Sequence, residues 1–378
     1  MTQMTQKQRC HISTRKGLFT LERGNNGWGI ARANFVGDNV TLTMHDPRSG
    51  DLVAALNHGH FGNKLHRSRD GGATWTEIAT PKYPEKPADY KPAMPVEGAP
   101  VVDWSLKLIW ALEPGGADQP GLVWCGTLPG GLFKSEDGGN SWTLVRELWD
   151  DPRREQWFGG GADQPGIHSI CVDPRDSRHV TIGVSCGGVW TTRDAGKQWS
   201  LAAKGMRANY MPPDKQFEEN VQDPHMVAQC RSNPDVLWVQ HHNGIFKSTD
   251  SAASWTELAG ITPSSFGFAV AVHPRDPDTA WFIPGTSDEK RCLIDGRVVV
   301  NRTRDGGRTF ETITRGLPQQ HAYDLVFRHA LDVDDQGRTL AFGSTTGSLW
   351  MSEDGGDSWN ALSSNLPPIY AVKFEKPS

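Results

Sequence analysis

No stretch of 18 apolar residues occurs anywhere in the sequence, so no helix is expected to cross a membrane. The N-terminal MTQMTQKQRC lacks the apolar segment of a secretory signal. The six cysteines (Cys10, Cys125, Cys171, Cys186, Cys230 and Cys292) lie far apart with no C-x-x-C spacing. That excludes a zinc ribbon, argues against a disulfide framework, and predicts reduced thiols in the cytoplasm. There is no basic block and the net charge is −5, so nucleic acid is not an expected partner. H-E-x-x-H is missing, and the one H-x-H is His58–His60; a metal site would have to be assembled from distant segments.

What the sequence does have is turns and large aromatics: 41 Gly, 25 Pro and 15 Trp in 378 residues. That balance favours many short strands over helices. Self-similarity then decides the architecture. SRDGGATW (68–75) recurs as SEDGGNSW (135–142), TRDAGKQW (192–199), STDSAASW (248–255), TRDGGRTF (303–310) and SEDGGDSW (352–359). The aspartates are Asp70, Asp137, Asp194, Asp250, Asp305 and Asp354. In such a turn the carboxylate accepts backbone N–H groups, glycine supplies the left-handed backbone, and the aromatic residue buries surface between sheets. A short strand precedes each copy, and some units carry an earlier Asp-Pro or Pro-Arg turn such as VDPRDSR (172–178). Four strands per unit at this period predict an all-β, seven-bladed β-propeller of four-stranded antiparallel blades. Residues 10–28 read as strands 2 to 4 of a further blade and 369–375 as its strand 1, closing the ring and hiding two sheet edges. The chain is expected to be one domain over 1–378, with 1–9 a flexible N-terminus.

The repeated S/T-x-D-x-G-x-x-W turn resembles that of the BNR/Asp-box propellers, a superfamily that includes sialidases, xyloglucan-degrading endoglucanases, sortilin-type receptors and photosystem assembly factors. The resemblance covers nearly the whole chain and is nearest in kind to intracellular bacterial proteins labelled sialidase-like or glycosyl hydrolase. It implies a fold, not a reaction. The Arg-Ile-Pro motif of the sialidases is absent, and seven blades depart from their six.

The repeated turns occupy one face of the expected propeller. Most long connections fall on the other: 79–103, 146–167, 205–224 and 287–300. Connections this long in a compact fold point to function, so a covered pocket is expected there. By register, inner strands start at this face with Trp104, His168, His225, Phe268 and Tyr323, the last just after His321. Second strands end there with Arg15, His58, Cys186 and His242. His58, His168, His225, His242 and His321 therefore come from different blades and are expected to converge. Imidazoles suit a divalent transition metal such as zinc, manganese, iron or copper; a histidine beside a carboxylate also serves as acid or base near neutral pH.

Carboxylates expected on the same face are Glu97, Asp103, Asp163, Asp223 and Asp324. Of these Asp103, Asp163 and Asp324, with Tyr323, are the candidate catalytic groups. Arg15, Trp104, Cys186 and Arg207 are the candidate substrate contacts. Three readings follow: a metal- or histidine-dependent hydrolase or lyase of a small polar or anionic molecule; a glycoside hydrolase using paired carboxylates about 5–10 Å apart; or a scaffold that binds a protein on its entrance face. In the pair His241–His242, alternation along a strand assigns His242 to the entrance and His241 to packing toward the neighbouring blade.

Overall fold

Each repeat folds as a four-stranded antiparallel sheet, and seven such sheets form a ring. The computed structural model describes residues 8–92, 102–160 and 162–377; Glu97 lies outside them. The seven inner strands are Val40–His45, Leu108–Pro114, Ile167–Val172, Pro224–Gln229, Gly267–Val272, Leu331–Val333 and Ile369–Phe374. Each touches the next around the axis, and Ile369–Phe374 touches Val40–His45. In the closing blade Ile369–Phe374 pairs with Arg9–Thr14, which continues to Gly17–Gly24 and Gly27–Asn34. The ring is thus sealed by both ends of the described chain, as the sequence predicts.

The repeated turns show why the motif recurs. Ser68 Oγ donates to Asp70 Oδ1 at 2.8 Å and accepts the Gly72 N–H at 2.8 Å, while Asp70 accepts both the N–H and the hydroxyl of Thr74. The same set recurs at 135–141, 303–309 and 352–358. In five blades the residue after the Asp also donates its N–H to the turn between strands 1 and 2, as in Gly138 to Gly121 and Gly355 to Arg338. The aromatic position is less uniform than expected: Trp199, Trp255 and Trp359 are buried, whereas Trp75, Trp142 and Phe310 are half-buried.

Two inner strands start later than the sequence register suggests. In the third sheet in sequence, that of 108–144, the strand begins at Leu108, not Trp104. In the seventh it begins at Leu331, not Tyr323. Here the turn at 344–346 captures the preceding segment. Ser344 and Thr346 hydroxyls donate to the Asp324 carboxylate, and Leu325 and Thr345 exchange hydrogen bonds, so 323–328 cannot join the ladder. The axial position passes to Arg328 and His329, and His329 Nε2 donates to the His168 carbonyl at 2.7 Å.

A second regularity re-aims side chains at the loop face. The pairing of inner strand to second strand shifts register at Thr41, Trp110, His168 and His225, between Val40/Leu42, Ile109/Ala111, Ile167/Ser169 and Pro224/Met226. A bulge turns the extra residue out of the normal alternation. Trp110 and His168 meet edge to face at 5.5 Å, and the Arg328 guanidinium lies 4.3 Å from the Trp110 ring centre. Beyond them an axial cavity of about 400 Å³ runs toward the face of the repeated turns.

Candidate functional site

Asp223 sits at the end of the long 205–224 connection, one residue before the inner strand Pro224–Gln229. Its backbone is fixed on both sides: the N–H donates to His241 Nε2 at 3.1 Å, and the carbonyl accepts the His242 N–H at 3.0 Å. The buried carboxylate accepts the Cys186 N–H at 3.2 Å on Oδ1. Its other oxygen faces two imidazoles. His225 Nε2 lies 3.4 Å and His242 Nδ1 3.5 Å from Oδ2. One potential ligand atom from each of the three residues lies within 4.8 Å of the others. Among the described residues this is the one such cluster of histidine, cysteine and acidic groups.

The geometry sets the proton positions. His225 Nδ1 donates to the Gly267 carbonyl at 2.6 Å, and its ring stacks on Phe268 at 4.5 Å. With Nδ1 so used, Nε2 is the ring atom turned to the carboxylate oxygen, and a proton or a cation between the two would join them. Burial alone would raise the Asp223 carboxyl, but His225 and His242 hold it well below the usual carboxylate range. Burial likewise opposes charge on His242, and the Asp223 carboxylate outweighs it, raising that imidazole. His241 is pushed down to about 3, chiefly by burial, so it is neutral and free to accept the Asp223 N–H. Burial and then the Asp223 charge push the Cys186 thiol up, which keeps it protonated.

Aromatic rings wall the cluster. Tyr210 and Phe266 approach His242 edge-on at 5.1 and 6.0 Å, and Phe158 stands beside Tyr210. Gly160 covers it: a Cβ there would fall 2.3 Å from Cys186 Sγ and 3.1 Å from Asp223 Oδ2. Cys186 itself has φ of 46°, a conformation that costs a non-glycine residue energy and is concentrated at functional sites.

Of the five histidines expected to converge, the structure joins His225 and His242. His168 is buried next to Trp110 with Nδ1 against Ser169 Oγ at 2.9 Å, at the head of the axial cavity rather than in the trio. His58 lies two inner strands away from that of His168, 3.7 Å from Asp38. His321 is exposed with φ of 57°, because the captured 323–328 segment pushes it outside the ring's inner register. Tyr323, for the same reason, is 70% exposed. Asp324 is buried under the Ser344 and Thr346 hydroxyls, and Asp103 is exposed and held by Lys107 at 2.6 Å and Ser105 at 2.7 Å. Asp163 is exposed. Trp104 packs on Trp149 and Tyr90, and Arg207 pairs with Glu257 at 2.7 Å. Arg15 is exposed beyond its strand end. Cys186 is the one substrate-contact candidate at the trio.

Sequence reasoning passed over Tyr210 and Phe266, and gave Asp223 no role beyond its face. It also missed Arg328, whose Nε is buried without a partner among the described residues and whose guanidinium burial pushes down to about 10. The Arg-His pair in VFRHA, an ionisable doublet inside an apolar run, was the available signal.

No family model matches the chain. It is similar to the oligoxyloglucan-reducing end-specific xyloglucanase of Emericella nidulans, with 22% identity over 294 residues, 70% of this chain and 33% of that protein. The chain thus spans about a third of the length of the curated relatives it matches. Among solved structures it is similar to an ancestral GH74 enzyme (TM-score 0.56, 16% identity, 89% of this chain and 38% of that one). It is also similar to YCF48 bound to D1 peptide (TM-score 0.50, 14% identity, 85% and 80%). The chain is a seven-bladed β-propeller whose fold is shared with a GH74 enzyme and with YCF48.

Proposed function

We propose that the loop-face pocket is the active site of a metal-dependent hydrolase or lyase, with Asp223, His225 and His242 holding a divalent transition metal. The observation that carries this is His225 Nε2 turned to Asp223 Oδ2 at 3.4 Å, with Nδ1 committed to the Gly267 carbonyl. A histidine ligand typically donates its other ring N–H to a backbone carbonyl. Bonds of about 2.0–2.2 Å in a tetrahedral site put ligand atoms roughly 3.4 Å apart, and the two carboxylate–imidazole separations are 3.4 and 3.5 Å. Such a metal lowers the pKa of a bound water to about 7 and so supplies a nucleophile at neutral pH. The residues do the rest. Phe158, Tyr210 and Phe266 exclude water from the flanks, Cys186 N–H and His241 hold Asp223 in place, and the buried Arg328 guanidinium favours a small anionic substrate. The six repeated turns further support membership of the Asp-box superfamily.

Metal analysis of the purified protein tests this directly. About one equivalent of metal is expected in the wild type and none in Asp223→Asn or His225→Gln. Wild-type protein free of metal, and unable to take it up from zinc or manganese salts, overturns the metal.

Glycoside hydrolysis is the second reading, favoured by the similarity to xyloglucanases. Release of sugar from xyloglucan oligosaccharides by the wild type, retained in Asp223→Asn, would move the chemistry away from the trio.

A further inference from the structure

The axial cavity lies on the other side of the His168–Trp110–Arg328 plug and has no role in the reading above. At about 400 Å³ it is within the size range of small-molecule pockets. Apolar inner-strand side chains such as Ile170, Val270, Leu331 and Val372 line part of its shaft, beside Thr43 and Ser169. Its mouth, at the face of the repeated turns, is ionic and unfinished. Lys376 Nζ is 3.5 Å from Glu113 and Lys373 Nζ is 4.0 Å from Asp332. Among the described residues neither ammonium has a hydrogen-bond acceptor. Several ion pairs elsewhere in the molecule close to 2.6 Å, as in Arg175–Asp235 and Arg48–Asp46, although others, such as Lys134–Glu136 at 3.6 Å, stay as open as these. Asp332 is partly committed elsewhere, accepting the Phe374 N–H at 2.9 Å, and Asp335 is shared between Arg231 and Arg275. Lys376 is pushed down even though Glu113 works to raise it: burial and the Lys373 and Arg231 charges outweigh that carboxylate.

The inner end carries a second, independent sign of a ligand. His168 is buried, lines the cavity, and its Nε2 has no hydrogen-bond partner among the described residues. Leaving a buried polar atom unpaired is unfavourable, and a guest in the shaft would satisfy it. We infer that the axial cavity binds a small organic anion, its carboxylate or phosphate held by Lys373, Lys376 and Arg231 and its apolar body directed along the shaft toward His168. This is a site separate from the trio, reached from the opposite face.

Calorimetric titration with hexyl phosphate, hexanoate, hexanol and inorganic phosphate tests it. One of the two amphiphilic anions is expected to bind at one site per chain, and which one does so separates a phosphate ligand from a carboxylate ligand. That anion should bind at least about tenfold more tightly than inorganic phosphate, since the shaft buries its alkyl chain, and hexanol should not bind. In Lys373→Met/Lys376→Met, which keeps the apolar stems, affinity should fall about ten- to a hundredfold with the loss of charge-assisted contacts. Failure of both amphiphilic anions to bind the wild type at millimolar concentration overturns the inference. So does equal affinity for inorganic phosphate and the amphiphiles, or affinity unchanged in a folded double variant.

Discussion

His241 Nε2 accepts the backbone N–H of Asp223 at 3.1 Å, and the next residue, His242, faces the carboxylate of that same aspartate at 3.5 Å. The adjacent imidazoles therefore serve one residue, one through its backbone and one through its side chain. Strand alternation does send them to different sides, as the sequence suggests. His241 shares its strand face with Leu237 and Val239, which pack with Phe246 against Val189 and Ala203 of the preceding blade; its ring meets Phe246 at 5.1 Å and braces the start of the inner strand of its own sheet. The doublet is a unit of construction for the site.

His241→Phe isolates that bracing. The aromatic contact with Phe246 survives, while the Asp223 N–H, in a buried setting, and the Asn243 N–H lose the imidazole as acceptor. An unpaired buried donor costs about 1–3 kcal/mol, and urea unfolding should show a loss of that size. Metal affinity, where the trio binds metal, should fall with it because Asp223 is no longer fixed. Wild-type stability in this variant would show that the 3.1 Å contact carries no weight.

The fold was legible because the repeat spells out local chemistry. Each Ser/Thr-x-Asp turn closes on hydrogen bonds within eight residues, so pattern alone identifies it. Ring closure was legible for a similar reason, since an orphan strand needs a partner. The site was legible only where register held. His225 and His242 flank a strand pair, 224 with 241, whose ends the sequence marks with Asp-Pro and Asn-Gly. His321 and Tyr323 failed because hydroxyls at 344–346, some twenty residues downstream, capture Asp324 and delay the strand to Leu331. Nothing local to 321–328 announces that capture. The bulges at Trp110, His168 and His225 were hidden too, because a bulge is a property of the pairing and not of one strand.

Closure should dominate stability. Ile369, Val372 and Phe374 are buried in the innermost strand of the closing blade, whose Glu375 also bonds His11 at 3.0 Å. Burying each large side chain contributes about 1.5–3 kcal/mol, so losing three approaches the roughly 5–15 kcal/mol of a whole domain. A chain ending at residue 367 is expected to be unfolded or aggregated, with the edge of Arg9–Thr14 left open. A chain ending at 375 keeps the strand and should melt cooperatively, close to the full-length protein. Circular dichroism melts of the two truncations make the comparison; equal melting would show that the last strand is dispensable.

Acid should destabilise the protein in two overlapping stages, the first carried by the buried histidines His168, His241 and His329, the second by the turn carboxylates. His329 is pushed down to about 4, chiefly by burial, against an unfolded value near 6.5. The unfolded chain therefore binds this proton first. The stability that depends on a neutral His329 is complete above about pH 6.5 and is lost as pH falls toward 4. The turn carboxylates act lower: Asp137 and Asp305 are held at about 2, chiefly by the Ser141 and Thr309 hydroxyls. Their contribution is present above an unfolded value of about 3.9 and disappears as pH falls toward 2. Melting temperature should thus be flat above about pH 7, fall between about 6.5 and 4, and keep falling below that. His329→Gln retains a donor for the His168 carbonyl and cannot be protonated, so it should lessen the first stage by several degrees at about pH 5 and leave the second unchanged. A variant whose melting curve tracks the wild type through both stages would remove His329 from the account of the first.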